Sequence, residues 1–408
     1  MTETLQSRPV PDDWRRNATL FLVCQNLSLF GSSVVGFAII WHITLTTTSG
    51  IWMTLAILTY TVPGVLISLW GGVWADRYSR KRLIMLADAA VALATLAVAG
   101  AFWLGRDDLE LLLAAAVCRS LGGGVQTPAV NAVYPQLVPA EKLTRVQGIN
   151  QTINAVLMLM SPVVGGLVLG WLGLVAAFMI DVLTAALAIG VMAFIPLPRP
   201  ETRTGDSTFT EMKAGLGYTF GHKRLKRLIT SYAAFFFLMA PAGVLTPLMV
   251  ARSFGPEVWR LTANELVWSG ASILGGIFVA RHGDFQDKPR GLALCLGAFG
   301  LCFGLLGLAG NFGLYLALMG LAGFFMPVLV TLETVFIQEV ADPALLGRVF
   351  SIVQLLSSGS MTLSIMLFGP LSDRVSVESL LLATGALMIL VGFLYHRAER
   401  RDAPAMAR

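Results

Sequence analysis

Apolar positions along the chain gather into long runs separated by short polar breaks. The runs lie near 18–44, 51–75, 83–104, 109–133, 144–170 and 173–195, then near 227–250, 260–280, 291–309, 312–337, 347–370 and 377–396. Each holds roughly 18–27 residues, and about 20 apolar residues in helical form cross a hydrocarbon layer of about 30 Å. In lipid every backbone N–H and C=O must be satisfied internally, so an open chain spans as helix. The pattern therefore predicts twelve membrane helices. The glycines and prolines inside the runs do not count against this, because membrane bundles tolerate both.

Composition narrows the picture to the same class. Of 408 residues, 56% are apolar and 13% charged, with a mean hydropathy of +0.73. A soluble domain carries about 25% charged residues and could not hide so much apolar surface in one or two cores. A cytosolic enzyme, a secreted disulfide module and a nucleic-acid binder are excluded. The four cysteines, Cys24, Cys118, Cys295 and Cys302, sit in apolar stretches without a CxxC pattern or a histidine cluster. They read as free thiols, and no metal or cofactor is expected. The polar start of the chain, with both charge signs, does not read as a cleavable signal, so the first run is expected to stay as an anchor.

Charge orients the spans. Of the 29 Lys and Arg residues, 24 fall in the N-tail, the C-tail and the breaks after even-numbered spans. Only Arg106, Arg252, Arg260 and Arg374 fall on the other side, and Arg119 alone lies within a span. The positive-inside rule then puts both termini in the cytoplasm of a multi-pass protein of the cell (inner) membrane.

The longest break divides the chain into an N-tail (1–17), a first six-helix bundle (18–195), a cytoplasmic linker (196–226), a second bundle (227–396) and a C-tail (397–408). Around the linker's end, KAGLGYTFGHKRLKR reads either as an amphipathic basic helix on the inner leaflet or as a solvated tether. The halves echo each other. Residues 131–138 align with 333–340, Leu143, Arg145, Val146 and Gln151 recur as Leu346, Arg348, Val349 and Gln354, and Gly71, Gly72 and Arg77 recur as Gly275, Gly276 and Arg281. A near-constant offset of about half the chain marks a duplicated, pseudo-symmetric six-helix unit.

After the second span the chain reads Gly72-Val-Trp-Ala-Asp76-Arg77-Tyr-Ser-Arg80-Lys81-Arg82. This resembles the G-x-x-x-D-R-x-G-R-R/K signature of the major facilitator superfamily, with Ser79 where a glycine is usual. In the fourth span Cys118-Arg119-Ser-Leu-Gly122-Gly123-Gly124 resembles that family's arginine followed by glycines. In the fifth, Ser161-Pro162-Val-Val-Gly165-Gly166 is similar to the G-P-x-x-G-G motif of drug:proton antiporters, with serine for the first glycine. Longer stretches, among them AAFMIDVLTAAL, LGRVFSIVQ and GPLSDR, resemble the macrolide-efflux and siderophore-exporter branch. The resemblance implies an all-α major facilitator fold and a conformational latch. In that latch Gly72 allows close packing of the second helix, and Asp76, supported by Arg77, Arg80 and Lys81, meets the start of the eleventh helix at Arg348.

The same fold implies a cavity lined by helices one, four, seven and ten. These offer Gln25, Asn26, Arg119, Gln126, Asn131, Tyr232, Phe235, Phe236, Met239 and Glu333, and that mixture of aromatics, Met and amides suits a bulky amphipathic organic solute. A lone arginine mid-membrane costs about 2.5–3.5 kcal/mol, so Arg119 is expected to face the interior, as a pathway group or paired to a carbonyl or carboxylate. Asp88 is expected to pair with the Arg77–Arg82 cluster. Asp181 is either a proton site or a hydrogen-bond partner of a neighbouring helix. Glu265 and Glu333 are the stronger proton candidates. With no nucleotide-binding, hydrolase or metalloprotease motif, the expectation is not an enzyme but a monomeric secondary transporter that exchanges an amphipathic compound for protons across the bilayer. Export of a siderophore or related metabolite, and a lipid-binding flippase or receptor without proton coupling, remain as alternatives.

Overall fold

A computed structural model describes residues 13–197, 217–282, 287–342 and 345–402. Twelve helices among them are long and apolar enough to cross a membrane, and the described residues contain no strand. In chain order the helices are α1 (Trp14–Thr47), α2 (Gly50–Arg77), α3 (Arg80–Trp103), α4 (Leu109–Leu137), α5 (Ala140–Trp171) and α6 (Leu174–Ala193). They continue as α7 (Lys223–Val244), α8 (Thr246–Ser253), α9 (Val258–His282), α10 (Lys288–Leu306), α11 (Phe312–Val340), α12 (Leu346–Leu371) and α13 (Val377–Asp402). The seventh span is broken: α7 ends at Val244, and α8 restarts one residue later with Pro247 in its first turn, where a missing N–H costs nothing.

Several helices outrun their apolar segments. α1 has 34 residues, about 50 Å at 1.5 Å per residue, because its polar ends continue the ladder beyond the hydrocarbon. The basic stretch after the linker behaves likewise. Its described part is one short helical turn at 217–221, and the KRLKR portion opens α7 instead of a separate surface helix. Residues 213–216 lie outside the described residues.

The chain clusters into two compact units. The first holds residues up to Ile43 and Leu55–Thr204; the second holds Thr44–Thr54 and Gly205–Arg408. In the first unit α3 packs along α4 and α6, and Phe21 of α1 meets Tyr134 of α4 edge-on at 5.2 Å. In the second, α10 packs along α13, α9 along α11 and α7 along α12, with Phe235 of α7 against Phe299 of α10 at 5.1 Å.

Small residues let backbones meet where lipid gives no hydrophobic drive between helices. In the first unit a Cβ on Gly124 would strike the Gly64 carbonyl of α2, and one on Gly122 would strike Val91 of α3. Gly122 and Gly124 of the fourth-span motif thus serve packing, while Gly123 lines the cavity of this unit. Among the described residues a Cβ on Gly72 would meet nothing within 4 Å, whereas one on its neighbour Gly71 would meet Gly124 and Val125 of α4.

Segment Thr44–Thr54, the connection between α1 and α2, is anchored within the second unit. The Asp373 carboxylate accepts from the N–H groups of Gly50 (2.7 Å) and Ile51 (3.0 Å) and from the Ser49 hydroxyl (2.8 Å), capping the start of α2. Arg252 pairs with it at 2.7 Å and also donates to the carbonyls of Thr48 and Ser372. Thr48 has a φ of 46°, unusual for a β-branched residue, and its carbonyl takes two donors from this guanidinium. Burial alone would raise the Asp373 carboxyl, but the Gly50 and Ile51 amides, Ser49 and Arg252 together hold it below the ordinary carboxylate range. A depressed folded value means the contribution is complete above the ordinary carboxylate pKa and is lost as pH falls through the folded value. Asp373→Asn is expected to loosen the segment at neutral pH and to abolish its acid-dependent release. Hydrogen exchange of the Gly50 and Ile51 amides from pH 7 to pH 3 checks this.

Candidate functional site

Each unit encloses a cavity of its own. In the first, of about 270 Å³, the walls come from α1 to α5. α1 contributes Gln25, Asn26 and Ser28, α3 contributes Asp88, α4 contributes Arg119, Gln126 and Asn131, and α5 contributes Asn150 and Asn154. Of the expected candidates, Gln25, Asn26, Arg119, Gln126 and Asn131 are brought together here.

Arg119 is 6% exposed and Asp181 of α6 is 1% exposed. The guanidinium donates to both carboxylate oxygens, at 2.5 and 3.3 Å, to the Thr95 hydroxyl at 2.9 Å and to the Ser32 carbonyl at 2.9 Å. Thr95 and Ser32 each donate to Asp181 at 3.2 Å. Four helices thus converge on one internally neutral pair. Gly31 makes room for it, since a Cβ there would collide with Thr184 of α6. The Arg119 Nε remains buried without a partner.

The Asp88 assignment is corrected. Its carboxylate accepts from Ser28 at 2.7 Å and Gln126 at 3.0 Å, inside the cavity. The cations near its helix start hold carbonyls instead: Arg80 donates to Ala75 and Ala132, and Lys81 to Ala193 and Ile195 at the end of α6. Arg82, the nearest of the expected cations, lies six residues before Asp88, about 9 Å along the axis and about 120° around it, so the two occupy different faces of α3. The side chains of Asp76 and Arg348 lie outside the described residues, and Arg77 is exposed at the end of α2.

In the second unit a cavity of about 380 Å³ is lined by Tyr232 and Phe236 of α7, Glu333 and Thr334 of α11, and Gln354 and Ser357 of α12. Three expected residues, Tyr232, Phe236 and Glu333, meet there. Glu333 is 4% exposed, receives one long bond of 3.4 Å from Thr334, and has a buried Oε1 with no partner. Glu265, half-buried on α9, lines neither cavity described here. In the fifth-span motif, Ser161 is fully buried with an unpartnered hydroxyl, Pro162 sits inside α5, and Gly165 lies 3.2 Å (as a Cβ) from the Val34 carbonyl of α1. Gly166 is buried beside it.

Asp88, Ser28, Asn150 and Asn154 are among the cavity residues not anticipated. Asn150 and Asn154 lie four apart in a polar stretch of the fifth span that also holds Gln147, Gln151 and Thr152, and that i, i+4 spacing on one helix face is a signal that could have found them.

The family model described as Major Facilitator Superfamily matches residues 21–364. The chain belongs to that superfamily. This facilitator is a multi-pass membrane transporter. It is 27% identical over 388 residues to Macrolide efflux protein A of Streptococcus pyogenes, covering 94% of this chain and 96% of that protein. The Enterobactin exporter EntS of Shigella boydii serotype 4 (strain Sb227) is 23% identical over 379 residues, covering 90% and 88%. Among solved structures, a POT family transporter in complex with thioalcohol conjugated peptide matches with a TM-score of 0.71 at 11% identity, covering 96% of this chain and 97% of that one. A bacterial homologue of iron transporter ferroportin in the inward-facing state matches with a TM-score of 0.68 at 16% identity, covering 94% and 99%. These two likenesses concern the fold.

Proposed function

We propose that this facilitator exports an amphipathic organic compound from the cytoplasm by alternating access, in exchange for protons, with both termini on the cytoplasmic side. The observation that carries the reading is the first unit's cavity, rich in amides and holding the buried Asp88 carboxylate beside the already neutralised Arg119–Asp181 pair. Such a lining hydrogen-bonds a polar organic solute, and isolated carboxylates at membrane depth are costly unless protonated or paired. Similarity along nearly the whole chain to a macrolide efflux protein supports export of a bulky compound. Similarity to an enterobactin exporter favours a second reading, export of a siderophore-like metabolite through the same cavity. A gradient supplies the energy: each charge moved down 100 mV yields about 2.3 kcal/mol.

Inverted vesicles carrying a pH-sensitive dye and energised to an acidic lumen test the exchange. Addition of a transported macrolide or siderophore is expected to dissipate the gradient, and absence of proton movement with every solute would rule out antiport. Glu333, buried with an unpartnered oxygen, is the proposed proton carrier of the second unit. Glu333→Gln is expected to lower proton release per solute at least tenfold while solute binding persists; unchanged coupling removes it from that role.

A further inference from the structure

Asn26 belongs to two spaces at once. It lines the polar cavity of the first unit, and it also lines an apolar groove of about 390 Å³ formed by Val23, Leu27 and Phe30 of α1 with Leu157, Met160 and Val164 of α5. Asn26 is 7% exposed. Its Nδ2 donates to the Leu22 carbonyl at 2.8 Å and to Asn150 Oδ1 of α5 at 3.1 Å, while its Oδ1 is buried without a partner. A buried amide oxygen with no protein donor among the described residues has its full accepting capacity free, and a ligand donor arriving at that boundary would satisfy it.

Charge on the polar side points the same way. The charged and titratable groups facing this space are Tyr60 of α2, Asp88 of α3, and Arg119 and Tyr134 of α4, with Asp181 of α6 behind Arg119. Arg119 is spent on Asp181, and among the described residues Asp88 receives only the Ser28 hydroxyl and the Gln126 amide. The ionised cavity therefore carries one uncompensated negative charge, next to a groove with almost no polar surface. Neither space alone suits an amphiphile; together they match its two ends.

We infer that the polar cavity and the α1–α5 groove are the head and tail halves of one binding site joined at Asn26, and that it takes amphiphiles bearing a protonated amine, with the head near Asp88 and the apolar portion past Asn26. This rests on the transport reading above and names its substrate class.

The test uses the full chain in lipid nanodiscs and a labelled primary n-alkylammonium series from six to twelve carbons, with uptake by empty nanodiscs subtracted. Affinity is expected to rise by about fourfold per methylene for chains entering the groove. Met160→Trp and, separately, Val23→Trp fill the groove at positions that are 43% and 55% exposed, so neither disturbs a packed core. Both are expected to flatten the chain-length dependence between the six- and twelve-carbon members. Asn26→Leu is expected to weaken all members about tenfold, the loss of one hydrogen bond to a charged donor. Asp88→Asn is expected to abolish the preference for alkylammonium over alkanols of equal length. An unchanged slope in both tryptophan variants overturns the joined site, as does equal binding of alkyl sulfates. Those outcomes leave the vesicle assay untouched, whereas binding without proton movement there would sink antiport and spare the site.

Discussion

Asp181→Ala is expected to lower the stability of the protein by about 3–5 kcal/mol, the usual cost of removing one member of a buried ion pair. The mutation strands Arg119, 6% exposed, with only the Thr95 hydroxyl and the Ser32 carbonyl as acceptors, and its Nε has no partner even in the unaltered protein. The large effect comes from the orphaned charge and not from the worth of the pair. The double change Arg119→Met with Asp181→Leu is therefore expected to restore folding, since apolar replacements of similar volume are often neutral. Thermal unfolding of detergent-solubilised protein checks both. A single mutant within about 0.5 kcal/mol of the parent, beyond the scatter of surface changes, would mean that water or another group solvates the guanidinium. If the pair also shapes the solute cavity, the double variant folds but fails in the vesicle assay, separating architecture from transport.

The spans were legible because bilayer thickness imposes a one-dimensional constraint that hydropathy reads directly. Their ends were not, because polar residues such as those of Trp14–Asn17 and Lys223–Arg227 extend the helices past the apolar runs. Arg119 announced itself as a charge that lipid would not accept, and Asp181 as an intramembrane acid. What joined them was invisible, since a sequence separation of 62 residues carries no information on which faces of α4 and α6 turn towards each other. Asp88 misled for the opposite reason. Its nearness along the chain to a basic cluster suggested a pair, while the face it occupies on α3 turns it towards Ser28 and Gln126. Likewise GPLSDR was recognisable as a family-like string, but its Asp373 caps a helix start more than three hundred residues earlier, a relation that only three dimensions reveal.

Glycines show the same limit and give the second large expectation. On α10, Gly297 and Gly300 are indistinguishable by sequence, yet of the two only Gly300 would bring an added Cβ against a neighbour among the described residues. Gly300 and Gly385 of α13 cross so closely that a Cβ on Gly385 would lie 2.5 Å from the Gly300 carbonyl and 2.6 Å from the Gly304 backbone, and a Cβ on Gly300 would lie 2.6 Å from the Gly385 carbonyl. Every one of those neighbours is backbone, so no side chain can swing away, and the two helices themselves must separate. Gly385→Ala is expected to cost about 1–3 kcal/mol, and Gly385→Leu to prevent assembly of the second unit. Gly297→Ala, where a Cβ meets nothing within 4 Å among the described residues, is the internal control and is expected to be neutral or slightly stabilising, since alanine favours helix over glycine by up to about 1 kcal/mol. Membrane-inserted yield and thermal unfolding of the three variants measure the contrast. Equal behaviour of Gly297→Ala and Gly385→Ala would mean that α10 and α13 are not in backbone contact, and that the second unit draws its cohesion from the aromatic cluster of Phe235, Phe299 and Phe303 instead.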